Sequence, residues 1–146
     1  MANENLPFHP CPSTPALNLP TGACDAHCHV FGPAADFPFA PQRTYTPVDA
    51  PWSTLVDLHE KLGLDRTVLV QASCHGTDNA AMLDAIARSN GTCRGVGMVA
   101  RDVSEAELQR LHDGGVRGIR FNFVTHLGQD ADTDAVRELA ARIAPL

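Results

Sequence analysis

Four times along this chain a strand-like run is followed by a segment with helical spacing, and that strict alternation limits the fold more than any other feature. Strand-like patterning marks Cys24–Val30, Thr67–Ala72, Arg94–Ala100 and Val116–Val124. Helical spacing marks Ser53–Leu62, Asp78–Ser89, a segment opening at Ser104-Glu105-Ala106-Glu107 and ending at Asp113-Gly114, and Asp132–Ile143. Leu55, Val56, Leu58 and Leu62 line the first helix, which stops at Gly63. Ala81, Met82, Ala85 and Ile86 line the second, and Ser104 with Glu107 forms a capping box for the third. Such alternation predicts a parallel sheet with right-handed crossovers.

Two architectures satisfy that pattern: a small doubly wound sheet, or half of a TIM-type (β/α)8 barrel. The phosphate-gripping GxGxxG after the first strand is absent, which disfavours a nucleotide-binding doubly wound sheet. The expected fold is therefore α/β, four consecutive βα units forming the N-terminal half of a barrel. A whole barrel runs about 250 residues, and this chain has 146. Residues 1–22, with five prolines and no periodicity, read as a Pro-rich extended arm before a partial barrel domain over 23–146. A second Pro-rich loop, Phe31–Pro51, follows the first strand.

A net charge of −6 argues against a nucleic-acid surface. Five cysteines without framework spacing fit free thiols in a reducing compartment. The N-terminus lacks the basic and apolar regions of a secretory signal, and no apolar run approaches the roughly 20 residues of a membrane helix. A cytoplasmic protein with no nucleic-acid or membrane partner is expected.

Sites in both architectures lie at the carboxyl ends of the strands, and polar residues gather there. Strict alternation through Asp25-Ala26-His27-Cys28-His29 puts Asp25, His27 and His29 on one face, the imidazoles about 7 Å apart along the strand. His27 and His29 are thus candidates for catalysis or for holding a divalent metal such as zinc. Alternation sends Cys24 and Cys28 the other way, to pack against helices, which excludes a zinc knuckle with the histidines. Gln71, Ser73 and His75 share a face after the second strand, and substrate hydrogen bonding suits them better than a nucleophile and base without an orienting carboxylate. Arg120 and Asn122 point to the mouth from the fourth strand, while Phe121 and Phe123 lie under helices. Arg120 is a fork for a substrate carboxylate or, alternatively, an internal partner of Asp25. Tyr45, in the Pro-rich loop, either folds over the site or packs on the surface. His126 follows the fourth strand and joins the rim, whereas His9, His59 and His112 read as surface residues.

At AHCHVFGP, FPFAPQRTY, QASCHGTDNAA and GGVRGIRFNF, spanning about Ala23 to Phe123, the chain resembles the amidohydrolase superfamily. It looks most like the 2-pyrone-4,6-dicarboxylate lactonase branch. The resemblance implies a (β/α)8 barrel that hydrolyses a carboxylated cyclic ester by attack of water on the ring carbonyl. His27 and His29 would help polarise that carbonyl, and Arg120, Ser73 and Tyr45 would contact substrate. This branch is thought to work without a divalent metal, unlike most of the superfamily. A further arginine of the family is replaced by His126. A later histidine and the aspartate that serves as general base lie on strands beyond Leu146, so the chain alone is expected to be incomplete for catalysis. Two other readings fit the same residues: a half-barrel that pairs with a copy of itself or with a separate second half, and a non-catalytic carboxylate-binding module.

Overall fold

The computed structural model describes residues 8–123 and 132–146. Four strands, β1 (Cys24–Cys28), β2 (Arg66–Val70), β3 (Cys93–Gly97) and β4 (Val116–Ile119), alternate with four helices, α1 (Trp52–Leu62), α2 (Ala80–Arg88), α3 (Glu105–Asp113) and α4 (Thr133–Ile143). All neighbouring strands are parallel and their spatial order is the chain order, β1-β2-β3-β4. A doubly wound sheet reverses direction at a switch point. The sequential order has no such reversal, so same-handed crossovers put α1, α2 and α3 on one side. The doubly wound alternative falls.

Helix ends follow local chemistry. Gly63 closes α1 at φ 73°, the left-handed turn glycine takes without strain. Ser104 caps α3 by accepting from the Glu107 N–H at 3.1 Å. The reciprocal half of the capping box is not made, because the Glu107 carboxylate grips Arg110 through two bonds of 2.7 Å. Asp132 caps α4 through the Ala135 N–H.

The core lies between the sheet and α2. Ala81, Met82, Ala85 and Ile86 are all buried, as their spacing predicts, and meet Val30, Leu69, Cys93, Leu111 and Val116. Gly95 permits this approach: a Cβ there would lie 2.9 Å from the Ile86 Cδ1 and 3.1 Å from the Met82 Sδ. On the opposite face Val68 and Val96 are only half-buried.

Three expectations fail. The strands are shorter than the apolar runs, and β4 stops at Ile119. Phe121 and Phe123 therefore escape strand alternation; they stack on each other at 6.1 Å, and Phe123 is 48% exposed rather than covered by a helix. On α1 the residue that is buried is His59, while Leu58 is exposed. The third is in β1. Asp25 pairs with Thr67 and Cys28 with Leu69, so β1 spends three residues where β2 spends two. This bulge resets the alternation. Asp25 and Cys28 both face the helices, and Cys28 packs against the core. Cys24 is exposed instead of covered.

Leu69 has no exposed surface, and Leu→Ala at such positions costs about 2–5 kcal/mol. Leu69→Ala is expected to lower the unfolding free energy by that amount, read in urea as a lower midpoint with an unchanged slope. A loss below 1 kcal/mol (roughly a surface-substitution effect) would place the core elsewhere.

Candidate active site

His27 and His29 flank Cys28 in sequence, and because Cys28 faces the helices they project together to the other face. Their rings meet edge to face with centroids 5.3 Å apart. The His29 Nδ1 lies 2.7 Å from the Val70 carbonyl oxygen. A carbonyl only accepts, so Nδ1 carries the proton and the neutral ring keeps a lone pair on Nε2. Burial, the largest influence, lowers the His29 pKa below the usual histidine value; the Val70 carbonyl opposes this, and Arg120 and His27 lower it further. At neutral pH His29 is therefore a lone-pair donor at Nε2. Asp25, expected beside them, is on the far side of the strand. Its Oδ2 lies 3.1 Å from the His59 Nε2, and its Oδ1 accepts from the His27 backbone N–H at 3.1 Å.

Arg120 follows β4 and is fixed from three sides. Its backbone N–H donates to Gly97 O at 2.7 Å, Nε to Asn122 Oδ1 at 2.8 Å, and Nη1 to Gln71 O at 2.9 Å. The internal ion pair with Asp25 is not formed; among the described residues Arg120 has no carboxylate partner. Asn122 is buried and serves as the support of that guanidinium.

Ser73 reaches the mouth and donates to the Tyr45 hydroxyl at 3.4 Å. Burial raises the Tyr45 pKa, so the phenol stays protonated. A cleft of about 180 Å³ beside them is lined by Arg43, Thr44, Ser73, Thr77, Met98 and Asn122. Arg43 was not singled out from sequence; its guanidinium donates to Thr46 Oγ1 and Ala40 O and, among the described residues, meets no carboxylate.

His75 goes elsewhere. Ser73–His75 form a single 3₁₀ turn after β2, which breaks the period of two that had placed Gln71, Ser73 and His75 together. His75 is 3% exposed, packs on Phe39, and accepts the Gly32 N–H on Nε2 at 3.2 Å. It anchors the loop that carries Tyr45. Gln71 ties the same turn through Gly76 O and Asp78 O. Asn79, which the sequence did not flag, uses both ends of its amide on the Met98 backbone at 2.8 and 3.1 Å. Its only sequence signal was its place at a helix start. His126 lies outside the described residues.

The sequence profile of the family described as Amidohydrolase matches residues 24–146. The chain belongs to the amidohydrolase family. This amidohydrolase is 55% identical over 141 residues to the 2-pyrone-4,6-dicarboxylate hydrolase of Comamonas testosteroni, covering 97% of this chain and 46% of that protein. It is 44% identical over 117 residues to the 4-sulfomuconolactone hydrolase of Rhizobium radiobacter, covering 80% of this chain and 39% of that one. A solved structure of a candidate 2-pyrone-4,6-dicarboxylic acid hydrolase from Pseudomonas putida superposes with a TM-score of 0.71 at 39% identity, covering 86% of this chain and 45% of that chain. The chain thus spans under half the length of the curated relatives it matches. Its four βα units correspond to part of the TIM barrel of those neighbours.

Amidohydrolases are typically metal-dependent, and the mouth fits an ion in part. A histidine that donates Nδ1–H to a carbonyl and offers Nε2 has the orientation that metal-bound histidines show. Catalytic zinc sites use three protein ligands, and among the described residues the mouth offers the two histidines. The cluster of three ligating side chains that the described residues do form is Asp25, Cys28 and His59, on the other face of β1.

His29 and His75 both have pKa values lowered chiefly by burial. The unfolded chain binds these protons first, so their neutral burial is fully tolerated above about pH 6.5 and opposes folding increasingly as pH falls from there towards the lowered folded values, where the loss levels off. Thermal unfolding is expected to show the stability gap between wild type and His75→Gln narrowing below pH 6.5. A gap that stays constant or widens on acidification would contradict the neutral, accepting His75.

Proposed function

We propose that this amidohydrolase is a lactone hydrolase whose described part forms the carboxylate-holding and carbonyl-facing side of the active site. The observation that carries this reading is Arg120: a guanidinium held by Asn122 and Gln71 on a backbone tied to Gly97, at the mouth and without a carboxylate of its own among the described residues. Burying a charge is costly unless something pairs with it, and a planar fork so held is prepared for a substrate carboxylate. Both curated relatives are named as hydrolases of lactones.

In this reading Arg120 fixes a ring carboxylate, while Ser73 and Tyr45 supply hydroxyls to the substrate's oxygens. His27 and His29 face the ester carbonyl. With its proton committed to Val70, neutral His29 takes up a proton or a cation at Nε2 rather than donating, so carbonyl polarisation falls to His27. Where a divalent ion is bound, these two residues would hold it, and it would supply Lewis-acid polarisation of the carbonyl. Asn122 does its work through Arg120, and His75 through the loop over the site.

A second reading, carboxylate binding without turnover, is favoured by one observation. The carboxylate nearest in sequence, Asp25, faces away from the histidines and bonds His59. Among the described residues no carboxylate base stands beside His27 and His29, and a general base is typically worth 10²–10⁴-fold in rate.

Calorimetry with 2-pyrone-4,6-dicarboxylate, together with the loss of pyrone absorbance, separates these readings. Binding is expected, weakened roughly 10- to 100-fold in Arg120→Met, the loss of a charge-assisted bond worth about 1.5–3 kcal/mol. Ring opening together with binding supports the enzyme, and binding alone supports the module. Affinity indifferent to Arg120→Met would overturn both.

A further inference from the structure

On the helix-facing side of β1, opposite the mouth, Asp25, Cys28 and His59 place one carboxylate oxygen, one sulfur and one ring nitrogen all within 4.8 Å of one another. We propose that these three residues form a second metal site for a borderline-soft divalent cation of the zinc type, tying α1 to β1.

The donor set decides the class of ion. Magnesium and calcium take oxygen ligands, whereas one thiolate, one imidazole and one carboxylate suit zinc or cobalt. Charge also closes: a carboxylate and a thiolate together neutralise a divalent cation. On binding, the Cys28 S–H proton passes to solvent and the sulfur takes its place on the metal. Zinc–ligand bonds of about 2.0–2.3 Å require ligand atoms roughly 3.3–3.8 Å apart. The Asp25 Oδ2 and His59 Nε2 are already 3.1 Å apart, so bringing in the sulfur is the main adjustment. Thr67 Oγ1 lies 2.9 Å from the Cys28 Sγ and, with water, is available for the fourth position.

Two further observations make the cluster more than a packed polar trio. The ligands stand on rigid elements, two on β1 and one on α1, and the bulge brings Cys28 to the face of Asp25. The cluster is also reachable: the Asp25 side chain is 29% exposed, and His59 and Thr67 line a cleft of about 260 Å³ between α1 and the foot of β2. Arg66 lines it too, but its guanidinium is committed to the Gly22 carbonyl. His27 and His29 take no part, since they project from the opposite face.

The test is titration of the metal-stripped chain with cobalt(II). One equivalent is expected to give a thiolate-to-cobalt charge-transfer band in the near ultraviolet. Cys28→Ser should abolish the band, while the double variant His27→Asn/His29→Asn should keep it. In parallel, zinc is expected to raise the Tm of the wild type and of the double variant in a concentration-dependent way, but not that of Cys28→Ser or His59→Gln. A missing band, a band that survives Cys28→Ser, or a band lost only with His27 and His29 would overturn the proposal. If Cys28→Ser fails to fold, the His59→Gln melting series decides alone.

Discussion

One extra residue in β1 governs how this molecule divides its chemistry. A strand paired in register with β2 would send Asp25, His27 and His29 to a single face, crowding a carboxylate and two imidazoles into the mouth. The bulge between Asp25 and Cys28 separates them. Past it, alternation resumes one step out of phase, so the histidines face the inside while Cys28 and Val30 pack outward on the core. The Asp25 carboxylate spans the bulge, with one oxygen on the His27 N–H and the other at the buried His59 of α1. A slip of one residue flips every side chain of a strand, and these bonds hold the register at the place where a slip would dismantle the site.

The rim is held by side-chain amides that stand in for backbone pairing where the strands have ended. Gln71, Asn79 and Asn122 are all buried, and each bonds a neighbouring segment: the turn after β2, the backbone of Met98 after β3, and Arg120 after β4. Beyond the last ladder bond a strand loses its regular partners, and buried backbone groups there need others. Gln71 and Asn79 supply them for Gly76, Asp78 and Met98, while Asn122 accepts from the Arg120 guanidinium and fixes that charge at the mouth.

Much of this was legible in the sequence. The βα alternation, the buried face of α2, the stop at Gly63, the Ser104 cap and the joint presentation of His27 and His29 all follow from short-range patterns of residue type. The failures share a cause: they depend on partners distant in the chain. A period of two carries no sign of a bulge, which exists only in the pairing of β1 with β2. His59 looked like a surface residue because its partner, Asp25, is 34 positions away. His75 followed the strand pattern in sequence, yet its burial is set by the Gly32 loop 43 positions earlier.

The His29–Val70 bond shows how far a backbone can determine chemistry. β2 ends at Val70, and the carbonyl at its end accepts a hydrogen bond from the imidazole just past the end of the neighbouring strand. That single acceptor selects the tautomer, and the tautomer leaves Nε2 with a lone pair. Burial and the nearby Arg120 then keep the ring neutral. His29 and Arg120 thereby become complementary: one offers electrons where the other offers protons, on the same rim, each fixed by a neighbouring element. The described rim thus sets a fixed cation beside a lone pair, and each owes its state to a main-chain carbonyl at the end of β2: Gln71 O for the guanidinium and Val70 O for the imidazole.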